Sequence, residues 1–255
     1  MTNSVADNEL FEYLVKEANE NFEGWDFSYL ESTRRMQEFP LSWSYRNKVK
    51  AAMTGKHSLL DMGTGGGEFL SSLVPLPEFT CATEGYEPNI SVARERLEPL
   101  SVKVYQVYDD VSLPFEDETF EVVINRHESY SAGEVKRVLK NEGIFVTQQV
   151  GGLNDKELNE LLGAPRFELY DWDLKTAVSS LTESGLEIVE QREDLVKSRF
   201  YDIGAIVFYL KAIPWQVPDF TVERYFDRLK YINQLIERQG YVDFTCHRFL
   251  AIAKK

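Results

Sequence analysis

The chain has 255 residues, enough for one large α/β domain with an appended cap. Apolar residues make up 43% and charged residues 27%, with no low-complexity tract or internal repeat, which excludes disordered and solenoid architectures. A formal net charge of −14 opposes long-range attraction to phosphate backbones and anionic membranes.

The first ten residues, MTNSVADNEL, lack the basic start and apolar stretch of a secretory leader, and the longest apolar run, 203–210, is too short to span a bilayer. Residues 8–22 carry Leu10, Phe11, Leu14, Val15 and Ala18 at helical spacing. Residues 24–53 are aromatic-rich and read as helical in pieces, broken near Pro40. Charge is uneven here. Residues 1–31 hold eight acids and one base, whereas 34–56 hold Arg34, Arg35, Arg46, Lys48, Lys50 and Lys56 against Glu38 alone. The basic stretch reads either as a solvated helical face or as a local anion site beside a ligand cleft.

From residue 57 strands and helices alternate. Strands are expected at 57–62, 79–85, 102–107, 120–125 and 144–150, then at 186–196, with helices from Pro88, over 131–139 and over 174–181. That rhythm argues for a mostly parallel, doubly wound sheet with helices on both faces. Residues 197–240 break it: Ile203, Ile206, Val207, Leu210 and Ile213 mark one helix, and Val222 to Ile236 a longer one. A last strand closes the chain at 244–253. The expected organisation is a helical cap over 1–56, a ligand-binding core over 57–196, a helical insertion acting as a lid over 197–240, and the final core strand in 241–255. Cys81 and Cys246 fall in separate strands, so a disulfide is not expected and a reducing cytoplasm fits.

The most informative stretch is LLDMGTGGGEFL, residues 59–70, in which an apolar strand ends at Asp61 and runs into Gly63, Gly65, Gly66 and Gly67. Glycines permit positive φ and a close ligand approach, and in open α/β sheets ligands bind at the carboxyl ends of strands. A dinucleotide fingerprint needs a small residue where Glu68 stands, and that acid would repel a pyrophosphate.

In these residues the chain resembles the class I S-adenosylmethionine-dependent methyltransferases, in particular the type 11 group. The match runs over about residues 55–150. It implies a Rossmann-like seven-stranded sheet of order 3-2-1-4-5-7-6 with its last strand antiparallel, and S-adenosylmethionine as cofactor. Asp61, Gly63, Thr64 and Gly65 fall on the family's first motif, where the strand-end acid supports the loop and the methionine ammonium. Glu84, followed by Gly85, falls on the acid that binds both ribose hydroxyls. Asp109 falls on the acid near the adenine amino group, and Asp110 would place its backbone N–H at the ring. Glu121 stands where the family more often has Asp.

The loop NRHESY, 125–130, falls beside the transferable methyl in this family. Asn125 is expected at the cofactor, Arg126 at the acceptor, and His127 or Glu128 as a general base if the acceptor is protonated; a purely structural role for Arg126 and His127 is the alternative. Flanking segments, including Trp25 and the stretches 36–46 and 203–215, resemble a bacterial branch of these enzymes with no assigned acceptor. Trp43, Tyr45, Arg46, Tyr201 and Trp215 are candidate acceptor contacts, or else core. No zinc motif or RNA-binding module is present. The expected acceptor is a small molecule, with an anionic group as one option, and not nucleic acid or a membrane; an RNA methyltransferase or a non-catalytic S-adenosylmethionine-binding regulator are the alternatives. Oligomeric state is not legible.

Overall fold

A computed structural model describes residues 5–22 and 27–255; Trp25 lies outside the described residues. The chain divides into two compact units, one of residues 41–151, 172–194 and 248–255 (the sheet unit), the other of residues 1–40, 152–171 and 195–247 (the helical unit).

The sheet unit is built on β2 (Ser58–Met62), β3 (Phe79–Glu84), β4 (Lys103–Gln106), β5 (Phe120–Arg126) and β6 (Leu139–Val150). β2 pairs in parallel with β3 and β5, β3 with β4, and β5 with β6. Every residue of β2 is buried, as a central parallel strand covered on both faces requires. Because strand side chains alternate, the two faces build two cores. Leu59, Val122, Ile124 and Val146 meet Val49, Ala52 and Met53 of α3 (Tyr45–Met53), Leu70 of α4 (Glu68–Ser71) and Ala93 and Leu97 of α5 (Glu87–Leu97). Leu60, Met62, Val123 and Phe145 meet Val135 and Val138 of α6 (Ala132–Val138) and Leu181 of α8 (Leu174–Glu183). This is the expected doubly wound α/β arrangement.

Two long strands, β7 (Glu187–Phe200) and β8 (Val242–Lys254), complete the sheet, and β8 runs antiparallel to β6 with Val146 opposite Ile252. With a three-residue edge strand β1 (Met36–Glu38) included, the full order is β1-β7-β8-β6-β5-β2-β3-β4. Without its first member this is the expected order, but the strand count is eight. The added strand, β1 (Met36–Glu38), pairs antiparallel with the end of β7, Met36 facing Phe200. It lies in the stretch read as broken helix, of whose described residues only α2 (Ser28–Glu31) and α3 are helical. Three residues are too few for alternation to register.

The helical unit centres on α9 (Ile203–Ala212), apolar nearly all round and buried at nine of its ten positions. α10 (Val222–Gln239) is amphipathic, burying Val222, Tyr225, Leu229, Ile232 and Ile236, and it stops where Gly240 takes φ +85°. α1 (Val5–Ala18) packs on α9. Gly204 lets the Tyr13 hydroxyl and Arg35 approach the α9 backbone: a Cβ there would strike the hydroxyl and stand 2.8 Å from Arg35 Nη2, so both side chains would have to shift. Arg35 grips Asp202 through Nε (2.8 Å) and Nη2 (2.7 Å) and Glu17 through Nη1 (3.0 Å), while Asp202 caps α9 by accepting from the Ala205 N–H. A further helix, α7 (Lys156–Leu162), was not expected; it is too short to show a full amphipathic period.

Candidate functional site

The carboxyl ends of β2, β3 and β5 converge on the glycine loop. Gly63, Gly65 and Gly67 all have positive φ (69°, 62° and 80°), so the turn depends on glycine. The loop is tied over the end of β3, with the Thr64 N–H donating to Thr83 O at 2.9 Å. Gly67 precedes α4 and lies where a Cβ would stand 2.7 Å from Leu97 Cγ, so it, and not the following position, supplies the close helix packing. Glu68 pairs with Arg96, so its charge is neutralised within the chain.

Three acids stand round this loop. Asp61 is buried, accepts from the Thr64 hydroxyl at 2.7 Å, and is pushed by burial up to about 6. Glu84 is buried and accepts one backbone N–H on each oxygen, from Gly65 and from Tyr86, both at 2.7 Å; burial raises its pKa also. Glu128 packs on the bare α-carbon of Gly63, where a Cβ would lie 2.6 Å from its own, and desolvation raises its pKa. Among the described residues none of the three makes an ion pair. Asp61 and Glu128 each repel Glu84, and Asp110 repels Glu128.

The expected adenine side is more open. Asp109 is exposed and closes a turn by accepting from the Val111 N–H at 3.1 Å; Asp110 is half-buried. Gly85 has no room for a side chain, the Val107 carbonyl lying 2.9 Å from where a Cβ would be. The following loop is fastened by a pair that the sequence reading missed: Arg137 bonds Glu134, Asp117 and the carbonyls of Leu113 and Phe115. Its signal was present as the capping pattern Ser131–Glu134, with Arg137 one turn on.

Asn125 is fully buried, and its amide is spent on the Met62 and Ser129 carbonyls and on Thr147 and Gln149. It anchors the loop from below. Tyr45 is core, its hydroxyl donating to Asn125 O at 3.0 Å. Arg46 is turned to Ser72, bonding its carbonyl and hydroxyl. Trp43 is buried and donates to Gln148 Oε1 at 2.8 Å. Gln148 in turn meets His127, and the Gln148–Gln149 pair, a polar interruption near the end of an apolar strand, is the other signal the sequence reading passed over. Tyr201 and Trp215 belong to the helical unit; both are exposed, with the Tyr201 hydroxyl donating to Gln37 at 3.2 Å. In the basic stretch 34–56 three of the six bases are turned to partners within the chain: Arg35 to Glu17 and Asp202, Lys48 to Glu190 at 2.7 Å, and Arg46 to Ser72.

With this geometry in view, residues 60–147 match the family model described as a methyltransferase domain. That segment belongs to the methyltransferase-domain family. The methyl donor of the family, S-adenosylmethionine, is the cofactor of this domain. The acids round the loop fit it, since three carboxylates that make no ion pair among the described residues suit a molecule bearing a sulfonium and an ammonium and would repel a pyrophosphate. Solved structures agree in fold. A candidate methyltransferase from Bacillus halodurans aligns with TM-score 0.60 at 20% identity, over 82% of this chain and 96% of its own. A candidate sarcosine dimethylglycine methyltransferase from Galdieria sulphuraria aligns with TM-score 0.52 at 17% identity, over 99% and 98%. The cyclase SpnF aligns with TM-score 0.50 at 16% identity, over 82% and 80%. At these identities the likeness is one of fold. No protein of curated function matches the chain in sequence. Among the described residues no helix is long and apolar enough to cross a membrane.

Proposed function

We propose that the chain is an S-adenosylmethionine-dependent methyltransferase acting on a small-molecule acceptor in the cytoplasm. The observation that carries this reading is the set of acids at Asp61, Glu84 and Glu128, gathered on a glycine loop and, among the described residues, joined to no cation in an ion pair. In this reading Asp61, Gly63, Thr64 and Gly65 hold the methionine part. Glu84 offers its remaining lone pairs to the ribose, beside Gly85. Asp109 and the Asp110 N–H take the adenine, and Asn125 positions the loop from beneath. S-adenosylmethionine supplies an electrophilic methyl group on its sulfonium. In-line transfer is accelerated mainly by positioning, so the chain's task is to hold the acceptor atom and, where it is protonated, to remove the proton. Glu128 is the candidate for that removal, desolvation having raised its carboxyl above the ordinary value and so made it a stronger base.

A small acceptor is favoured over RNA because the net charge is −14 and the basic stretch spends Arg35 and Lys48 on internal acids. The Galdieria neighbour is named for a small amino-acid acceptor. Cys81 and Cys246, both buried and in separate strands, fit a reducing compartment. A second reading, cofactor binding without methyl transfer, is favoured by the SpnF likeness, since that name is a cyclase's. Incubation with methyl-labelled cofactor and a small-molecule cell extract separates them: label should enter an extract product with wild type and not with Gly65→Val. Tight cofactor binding with no labelled product from any extract would overturn methyl transfer.

A further inference from the structure

The loop after β5 carries a hydrogen-bond line whose direction is fixed by chemistry. The Trp43 indole N–H is a donor only. It meets the Gln148 side chain at Oε1, 2.8 Å away, in a buried pair. The amide of Gln148 therefore has one orientation, because a flip would set its NH₂ against the indole N–H. Gln148 Nε2 is then a donor, and it lies 3.0 Å from His127 Nε2. That imidazole nitrogen must accept. A neutral histidine that accepts at Nε2 carries its proton on Nδ1. Desolvation of the ring, with the Arg248 and Arg126 charges beside it, favours that neutral state.

The backbone repeats the constraint. The His127 N–H donates to Gln148 O at 2.8 Å, and His127 is held at φ +60°, a conformation a non-glycine residue adopts at a cost of about 1 kcal/mol or more. Arg126 is laid over the Phe69 ring at 5.1 Å, Phe69 lies 5.1 Å from the Tyr45 ring, and Tyr45 is pinned to Asn125 O. Asp61 and Tyr45 feel the Arg126 charge, yet among the described residues its guanidinium makes no ion pair. Both Arg126 and His127 are exposed, and His127 Nδ1 bonds no described residue.

We propose that the Trp43–Gln148–His127 line holds His127 as a neutral Nδ1–H donor, and that this donor and the Arg126 guanidinium together bind a carboxylate carried by the methyl acceptor. His127 is then an acceptor-binding residue and not the general base, because its one basic nitrogen is engaged by Gln148. A guanidinium fork matches a planar carboxylate, and a neutral N–H beside it completes the site without adding a second cation. The assignment rests on the methyl-transfer reading for the identity of the ligand, but the site itself can be tested without turnover.

The test uses the full chain labelled with ¹⁵N-histidine, which has only three histidines, His57, His127 and His247. Long-range ¹H–¹⁵N spectra at neutral pH should place the His127 proton on Nδ1. Trp43→Phe, which keeps an aromatic ring but frees Gln148 to flip, should yield a mixture of tautomers. Sodium acetate should then shift the His127 signals saturably, while acetamide, its neutral isostere, should not. Arg126→Gln should weaken acetate binding about tenfold or more. His127→Asn, which keeps a donor near the Nδ1 position, should retain more of it than His127→Leu. A proton on Nε2 in wild type, an equal response to acetamide, or saturation by inorganic phosphate with none by acetate would each overturn the proposal. Calorimetry of S-adenosylmethionine on the same samples keeps the readings apart. Cofactor binding without acetate binding refutes only this site, and acetate binding without cofactor binding refutes only the methyl-transfer reading.

Discussion

Acids are taken out of water in both units of this chain, with opposite outcomes. In the helical unit, buried Glu17 and half-buried Asp202 share Arg35, and the charge is settled inside the protein. In the sheet unit, Asp61, Glu84 and Glu128 lie round the glycine loop and, among the described residues, accept hydrogen bonds from backbone N–H groups and hydroxyls alone, and each is raised in pKa by desolvation. The first arrangement is complete and serves the fold. The second is electrostatically incomplete, and an external cation would complete it. Burial of an acid is therefore uninformative about function until its partner is known.

The largest expected effect breaks the complete side. Arg35→Met keeps most of the volume and leaves Glu17 and Asp202 without their cation. Removing one partner from a largely buried pair costs about 3 kcal/mol, and Arg35 also packs against Gly204. Urea unfolding of the full chain should record that loss. A change under about 1 kcal/mol would mean that the helical-unit acids are solvated after all.

Glu84→Gln probes the incomplete side through binding. A carboxylate can accept from both the Gly65 and Tyr86 N–H groups, whereas an amide must turn an NH₂ toward one of them. Loss of a charge-assisted bond costs roughly 1.5–3 kcal/mol, so the affinity for S-adenosylmethionine should fall by about ten- to a hundredfold. Unchanged affinity in the folded variant would move the ribose contact elsewhere.

Asp61→Asn should act in the opposite sense on stability. An ordinary Asp titrates at about 3.9, and Asp61 is raised to about 6 by burial. At neutral pH its ionised form is a net liability in the free protein. The amide should therefore stabilise the free chain by about 1–2 kcal/mol, less than the full linkage value because its bond with Thr64 is weakened. It should at the same time weaken cofactor binding. A variant that is both less stable and still tight-binding would place Asp61 with the structural acids.

How far the sequence foretold this contrast follows from the residues involved. The glycine loop and its acids were legible because φ > 0 demands glycine and because an apolar strand interrupted by Asp61 at its end has few uses. The sheet order followed from the same segment's family resemblance. Partners could not be read. Arg35 meets Asp202 across 167 positions, and Trp43 meets Gln148 across 105, separations that no local period encodes. The strand β1 and helix α7 were missed because three and seven residues are too short for their periodicities to stand out. Tyr45 and Asn125 looked like ligand contacts and are buried supports, a distinction set by packing alone.

The smallest expected effect is also the most specific to the incomplete site. Asp61 titrates near 6 when free, above its unfolded value, so between about pH 4 and 6 the folded protein holds a proton that the unfolded chain does not. Its contribution to stability is therefore largest at the acid side of that window and is lost as pH rises through 6. A cation placed beside it reverses the preference and lowers its pKa. Cofactor binding should then release protons at pH 5.5, while releasing almost none at pH 8, where the carboxylate is already ionised. Affinity should rise with pH through 6 and flatten above. Calorimetry in two buffers of different ionisation enthalpy reads the release directly, and a value approaching about one proton per site is expected at pH 5.5. In Asp61→Asn the release should shrink without vanishing, because Glu84 and Glu128 are raised by the same desolvation. Binding that takes up protons at pH 5.5, or that is independent of pH from 5 to 8, would mean that the cation does not enter among these acids.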